Sequence, residues 1–337
     1  MKTILVTGCA GFIGSNFLPY FLDKYKDYNI VNLDLLTYAG NLENLKEVQN
    51  DKRYKFIKGD IANRELVEFI FEEYLIEGVI HFAAESHVDN SIKNPGVFIE
   101  TNINGTYTLL DVAYKYWMKK PFEYKEGYTE SRFHHISTDE VYGTLNEIDL
   151  FTEETPYAPN SPYSASKASS DMLVRAYHET YGLDTVITNC SNNYGPKQHH
   201  EKLIPTIIRK ALAGEEIPIY GDGKNVRDWL YVLDHCKGID LVYHEGVVGN
   251  VYNIGGKNEK TNLEIVHSIC RILDRKVPSE KSYTTLISFV EDRAGHDRRY
   301  AIDASKIEKT LGWKAEENFE TGILKVINWY MEKLNVS

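Results

Sequence analysis

Cysteine is scarce and is not arranged in pairs: Cys9, Cys190, Cys236 and Cys270 are the four in 337 residues. With no Cys-x-x-Cys spacing, neither a disulfide framework nor a zinc site is suggested, and no metal is expected; reduced, buried thiols are the simplest expectation. No apolar run approaches the roughly 18 residues of a membrane span. The first residues enter a strand directly, without the basic, apolar and small-residue succession of a secretion signal. The expected location is therefore the cytoplasm, with no membrane partner. Basic charge is also short, at 38 Lys and Arg against 49 Asp and Glu, a net charge of −11. That argues against a nucleic-acid surface and requires any anionic ligand to find positive charge gathered locally. No internal repeat, low-complexity tract or Pro/Gly/Ser linker marks a single domain cut.

What is present is a soluble α/β pattern, 42% hydrophobic and of mean hydropathy −0.39. Thr3-Ile4-Leu5-Val6-Thr7 reads as a short buried strand. It runs into Gly8-x-x-Gly11-x-x-Gly14 and then a helical pattern from Ser15. Strand, glycine turn and helix in that order let the backbone approach a pyrophosphate, with the free N–H groups of the helix N-terminus aimed at it. A second apolar strand, Ile30 to Leu33, ends in Asp34, 20 residues beyond Gly14. A carboxylate there accepts from ribose hydroxyls and repels a 2′-phosphate, so NAD is favoured over NADP.

Further strands, Lys55–Gly59, Gly78–Phe82, Phe133–Ser137 and Thr185–Thr188, end in small or polar residues. In a doubly wound sheet the ligand lies beyond such carboxyl ends, although Asp60, just after one of them, reads equally well as a helix N-cap. A helix is expected from Val97 to Tyr116, a surface loop from Lys119 to Ser131, and a helix continuing past Lys167 to about Tyr181. Beyond residue 192 the elements become shorter and mixed. The expected fold class is α/β, a Rossmann doubly wound parallel sheet with a smaller mixed α/β C-terminal substrate-binding domain. Residues 1–192 form the first, with 226–255 returning to it, and 193–225 and 256–330 form the second.

The acid–base groups exceed what a plain alcohol oxidation needs. Tyr163 and Lys167 stand four apart on a helix and share a face, so the ammonium can lower the phenol's pKa and let Tyr163 act as a base. Ser137-Thr138-Asp139-Glu140-Val141-Tyr142 adds two adjacent carboxyls for a second proton transfer; read structurally, they are an N-cap with a first-turn acid. Lys202, Arg227, Arg293, Arg298 and Arg299 fall in loop-like segments of the later half. An arginine fork suits phosphate oxygens, while the neighbouring Asp228, Asp292 and Asp297 offer ordinary ion pairs instead.

The glycine turn, Tyr163-x-x-x-Lys167 and the Ser137–Gly143 run resemble the sugar-nucleotide 4,6-dehydratases among the extended short-chain dehydrogenases/reductases. The segments Ala83–Asp89, Asn189–Pro196, Glu201–Pro205, Arg227–Val232 and Gly295–Tyr300 resemble the branch acting on dTDP-glucose. That resemblance implies a three-step reaction. Tyr163, with Lys167 and Thr138, takes the C4 hydroxyl proton as hydride passes to NAD. Glu140 removes the C5 proton while Asp139, protonated at rest, expels the C6 hydroxyl as water, and the hydride returns to C6. It further implies NAD contacts from Gly8, Gly11, Phe12, Ile13, Gly14, Asp34, Thr37, Asp60, Ile61, Ala83, Ala84, Ser86, Thr101, Tyr163, Lys167 and Asn193. The nucleotide sugar would be held by Ser86, Asp89, Thr138, Asn192, Lys202, Leu203, Pro218, Tyr220, Arg227, Asn262, Arg293 and His296. A homodimer through a four-helix bundle built from Val97–Tyr116 and Ser164–Tyr181 is implied as well. The chain departs from the family at Asn90, at Lys197-Gln198-His199-His200 and at Ala294, where arginine, a more aromatic stretch and proline are usual. A 4-epimerase or a dehydratase of another nucleotide sugar stays open, as does a non-catalytic NAD-binding sensor.

Overall fold

The computed structural model describes residues 1–292 and 296–336. The first part of the chain alternates β1 (Lys2–Thr7), α1 (Phe12–Lys24), β2 (Tyr28–Asp34), β3 (Tyr54–Lys58), α2 (Arg64–Tyr74) and β4 (Gly78–His81). Then come α3 (Val88–Lys93), α4 (Pro95–Phe98), a π-helical segment Ile99–Gly105, α5 (Thr106–Trp117), a hairpin of β5 (Met118–Lys120) and β6 (Glu123–Tyr124), β7 (Arg132–Thr138), α6 (Pro162–Tyr181) and β8 (Thr185–Cys190). The remainder comprises β9 (Asn192–Tyr194), α7 (Leu203–Ala213), β10 (Ile217–Tyr220), β11 (Val226–Tyr231), α8 (Val232–Glu245) and β12 (Val251–Ile254). It continues through β13 (Glu259–Thr261), α9 (Asn262–Lys276), β14 (Ile287–Val290), β15 (Arg299–Tyr300), α10 (Ser305–Leu311) and α11 (Phe319–Lys333).

Seven strands form the main sheet in the order β12-β8-β7-β4-β1-β2-β3, every neighbouring pair parallel. Such a sheet is buried on both faces, and β1 shows it residue by residue. Leu5 packs with α2, α5 and α6 on one side, whereas Ile4 and Val6 pack with Phe17 and Phe21 of α1 and Val232 and Ile239 of α8 on the other. The strand order reverses between β1 and β4, which opens a crevice at their carboxyl ends. A third core joins α7, α9 and α11 through Ile204, Ile207, Ile208, Ile265, Ile269, Ile323 and Ile327, the three- and four-residue spacings of amphipathic helices.

Several expectations need correction. The helix expected over 97–116 is helical throughout, as α4, the π-helical segment and α5 in direct succession, and buried Asn102 in its π-helical part bonds Glu85 and Ser166. The loop expected over 119–131 contains the β5–β6 hairpin. Of the stretch 226–255, α8 and β12 lie with the main sheet, while β11 pairs with β9, β13 and β15 in a separate small sheet. β10 pairs with β14 in a two-stranded sheet of its own.

Candidate active site

A cavity of about 310 Å³ fills the crevice and runs from the glycine turn to the end of β7. Gly8 has φ +74°, and a Cβ there would lie 2.6 Å from the Cα of Ala83. Glycine is what lets the turn after β1 pass under the turn after β4. No side chain caps α1, so the first-turn N–H groups of Phe12, Ile13 and Gly14 face the cavity those residues line. Asp34, at the end of β2, accepts from the backbone N–H groups of Ala10 and Leu36 at 2.8 Å each. Burial pushes its pKa up, and those two donors oppose the shift. Asp60 is not a helix N-cap: it accepts from Ala62 N at 2.8 Å, and Asn63 caps α2 instead. Thr37, Ile61, Ala83, Ala84, Ser86, Thr101 and Asn193 line the same cavity. The glycine cradle, uncapped helix and strand-end carboxylate fit a dinucleotide.

At the other end, β7 delivers Thr138, which caps a short 3₁₀ turn over Asp139–Tyr142 by accepting from Glu140 N at 3.3 Å. The cap is thus Thr138, not Asp139, which leaves both carboxyls for other work. Thr138 Oγ1 also reaches Asp139 Oδ1 at 3.4 Å. Asp139 is 1% exposed, and its Oδ2 has no hydrogen-bond partner among the described residues. Burial drives its pKa well above the carboxylate range, with the Glu140 and Asp228 charges adding to the shift.

The first turn of α6 brings Tyr163 opposite, fixed by Pro162 and by a capping box between Ser161 and Ser164. Its phenol is pushed well up, first by burial and then by Glu140, against a hydrogen bond from Thr138. Burial dominates the shift, where the sequence led to an expected lowering by Lys167. Lys167 donates to Ile136 O at 2.8 Å and lies 3.3 Å from His135 Nε2. Burial brings its pKa down to about 8.

Ser86, Thr138, Asn192 and Lys202 line the cavity, and Lys202 donates to Ser86 O at 3.2 Å. The other described residues expected to hold a nucleotide sugar lie outside its lining. Asp89 is on α3, Leu203 opens α7, Pro218 and Tyr220 are on β10, Arg227 is on β11 and Asn262 opens α9. Arg227 is buried, with its guanidinium 4.2 Å from the Tyr300 ring centroid. The Tyr220 and His296 rings meet edge to face at 6.4 Å. Arg293 lies outside the described residues. Arg298 and Arg299 take the ordinary ion-pair role, with Asp222 and Glu259 at 2.8 Å.

Sequence reasoning missed cavity residues such as Tyr38, Glu85, Cys190, Gln198 and His199, and the buried His135 and Asp171 behind Lys167. A signal for Asp171 was available, since it stands four residues beyond Lys167 on α6. Among the described residues no group suited to a metal ion occurs, and no helix is long and apolar enough to cross a membrane.

A doubly wound sheet with a dinucleotide cradle at its switch point and a tyrosine, a lysine and two carboxyls in one cavity defines an NAD-type oxidoreductase scaffold carrying extra acid–base groups. Residues 5–326 match the family model described as GDP-mannose 4,6 dehydratase, and the chain belongs to that family. It is 54% identical to the dTDP-glucose 4,6-dehydratase of Escherichia coli, covering 98% of this chain and 93% of that one. It is 53% identical to that of Neisseria gonorrhoeae, over 98% and 96%. Among solved structures, the Bacillus anthracis dTDP-glucose 4,6-dehydratase in complex with NAD is 47% identical with a TM-score of 0.88, over 99% and 98% of the two chains. A UDP-glucose 4-epimerase of Thermotoga maritima shares the fold at 28% identity and a TM-score of 0.86, over 99% and 100%.

Proposed function

We propose that the chain is an NAD-dependent hydro-lyase that converts dTDP-glucose to dTDP-4-keto-6-deoxyglucose and water. The observation that carries this reading is the sharing of one cavity by Tyr163 and the Asp139–Glu140 pair. NAD, when bound along the glycine turn, accepts the C4 hydride and later returns it to C6. Tyr163, hydrogen-bonded to Thr138, takes the proton from O4, and the Lys167 charge supports the phenolate. A 4-keto group then acidifies the C5–H bond. Glu140 removes that proton while Asp139, kept neutral by burial, gives its own to the departing C6 hydroxyl. Two carboxyls in unlike surroundings can divide acid and base work in this way. Relatives of over half identity that carry the dTDP-glucose name support the substrate. A 4-epimerase would need the tyrosine and lysine but not both carboxyls.

A homodimer acting in the cytoplasm belongs to the same reading. The π-helical segment, α5 and α6 leave Ile99, Tyr107 and Met172 exposed, an apolar face suited to a four-helix bundle. The test is turnover of dTDP-glucose in D₂O with mass and NMR analysis of the sugar. A 4-keto-6-deoxy product with deuterium at C5 is expected. Turnover of a UDP- or GDP-sugar alone would overturn the substrate, and turnover of none would favour an NAD-binding sensor.

A further inference from the structure

Behind the cavity, on the side of Lys167 away from the glycine turn, lies a set of polar groups that the reaction above does not use. His135 and Asp171 are 0% and 2% exposed in their side chains, and His135 Nε2 is 3.2 Å from Asp171 Oδ1 and 3.3 Å from Lys167 Nζ. Asp171 Oδ2 accepts from Ser137 Oγ at 2.7 Å and from Tyr157 OH at 3.0 Å. A carboxylate in a dry core is costly without donors and a counter-charge. The two hydroxyls supply the donors, and Lys167 supplies the charge across the imidazole ring.

We propose that Asp171, acting across His135, is a positioning residue that holds Lys167 cationic and aimed at Tyr163. This rests on the reading of Lys167 as support for the Tyr163 phenolate. Among the described residues, Asp171 is the larger of the two charge effects that oppose burial at Lys167, ahead of Cys190. His81 on β4 and His135 on β7 are neutral, because burial lowers both. Burial raises the Cys190 thiol on β8 and Asp139 beyond Thr138, and the Tyr163 phenolate of the proposed reaction is the charge that the lysine is to support. His135 Nε2 is hydrogen-bonded to the Lys167 ammonium. Asp171 therefore acts on Lys167 by its charge across the ring, with Oδ1 3.2 Å from Nε2, while Lys167 keeps its hydrogen bond to the Ile136 carbonyl. Burial lowers Lys167 to about 8 while Asp171 opposes the fall. Burial raises Asp171 to about 6, leaving it ionised at neutral pH.

The test is a titration of Lys167 by ¹⁵N NMR of lysine-labelled holoenzyme, with Lys167→Met for assignment, beside the pH profile of dTDP-glucose turnover. In Asp171→Asn the Lys167 midpoint is expected to fall by a unit or more, and the alkaline limb of kcat to move down with it. From a wild-type midpoint of about 8, that is a loss of about fivefold or more in kcat at pH 8, with KM changed less than about threefold; Asp171→Glu is expected to restore both. An unchanged midpoint in Asp171→Asn overturns the proposal. If that variant does not fold, the wild type decides: its Lys167 signal must respond where Asp171 titrates, near 6, and a flat signal there overturns it. A wild type that turns over no nucleotide sugar refutes the proposed function and leaves the titration readable.

Discussion

The side-chain amide of Asn102 donates to Ser166 Oγ at 2.8 Å, tying the π-helical segment to the helix that carries Tyr163 and Lys167. The same amide clasps the backbone of Glu85, accepting from its N–H at 2.8 Å and donating to its carbonyl at 3.0 Å. Glu85 and Ser86 line the cavity, so one buried side chain sets three walls at once. Asn102→Ala is expected to destabilise the fold by about 2–4 kcal/mol, because two buried backbone groups lose their partner. Urea unfolding measures this, and turnover is expected to fall more steeply with temperature than in the wild type.

Asp139→Asn separates the steps. The amide keeps the shape of the carboxyl beside Thr138 but cannot give up a proton to the leaving hydroxyl. C4 oxidation is expected to persist, with bound NADH accumulating as absorbance near 340 nm, while product formation slows by about 10²- to 10⁴-fold. Equal slowing of both would remove Asp139 from the acid role.

Tyr163→Phe removes the hydroxyl that faces Thr138 and leaves the aromatic packing against Phe98. Turnover is expected to drop by about 10²- to 10⁴-fold with NAD affinity within a few-fold of wild type, read by calorimetric titration. A large loss of affinity would instead make the phenol a cofactor-binding group.

Gly8→Ala places a methyl at φ +74° against the Ala83 backbone. The strained conformation costs about 1–3 kcal/mol, and the contact adds to it. Lower stability together with lost NAD binding is expected, whereas Gly214→Ala, also at positive φ but with nothing near its Cβ, should affect stability alone.

His235 gives a pH signature. It is buried beside Asn193, with Nδ1 3.0 Å from Oδ1, and burial lowers its pKa to about 3. The unfolded chain binds a proton there below about 6.5 and the folded one does not, so this group's stability contribution is full above that value and is lost as pH falls toward 3. The loss is about 2 kcal/mol at pH 5 relative to neutrality. His235→Gln is expected to lose about that much less between the two pH values in urea unfolding.

The features legible in the sequence were those written in short range. The glycine turn, the strand-end Asp34, the Thr138–Glu140 run and Tyr163 with Lys167 each combine a local pattern with a strand or helix end, and the doubly wound sheet brings strand ends together. The π-helical segment was not legible, because Ile99–Gly105 suits an ordinary helix and the partners of Asn102, Glu85 and Ser166, lie far from it in the chain. The direction of the Tyr163 shift was not legible either: spacing puts an ammonium on the same face, but only the packed structure shows how dry the phenol is. His135 sits next to His134 on a strand, with nothing local to separate the one facing Lys167 from the one bonding Thr188 at 3.1 Å.

The all-parallel main sheet also bears on how the protein is made. No two of its strands can be joined by a tight turn, so β1 pairs with β4 only after β2, β3 and α2 have been synthesised, and β8 finds its outer neighbour β12 only after β9 to α8. Such non-local pairing slows folding. On the ribosome the nucleotide cradle is completed well before the edge beside the acid–base residues is covered. A chain released short of Ile254 would carry β8 as an open edge of buried, apolar and β-branched residues, the kind of surface that recruits another chain.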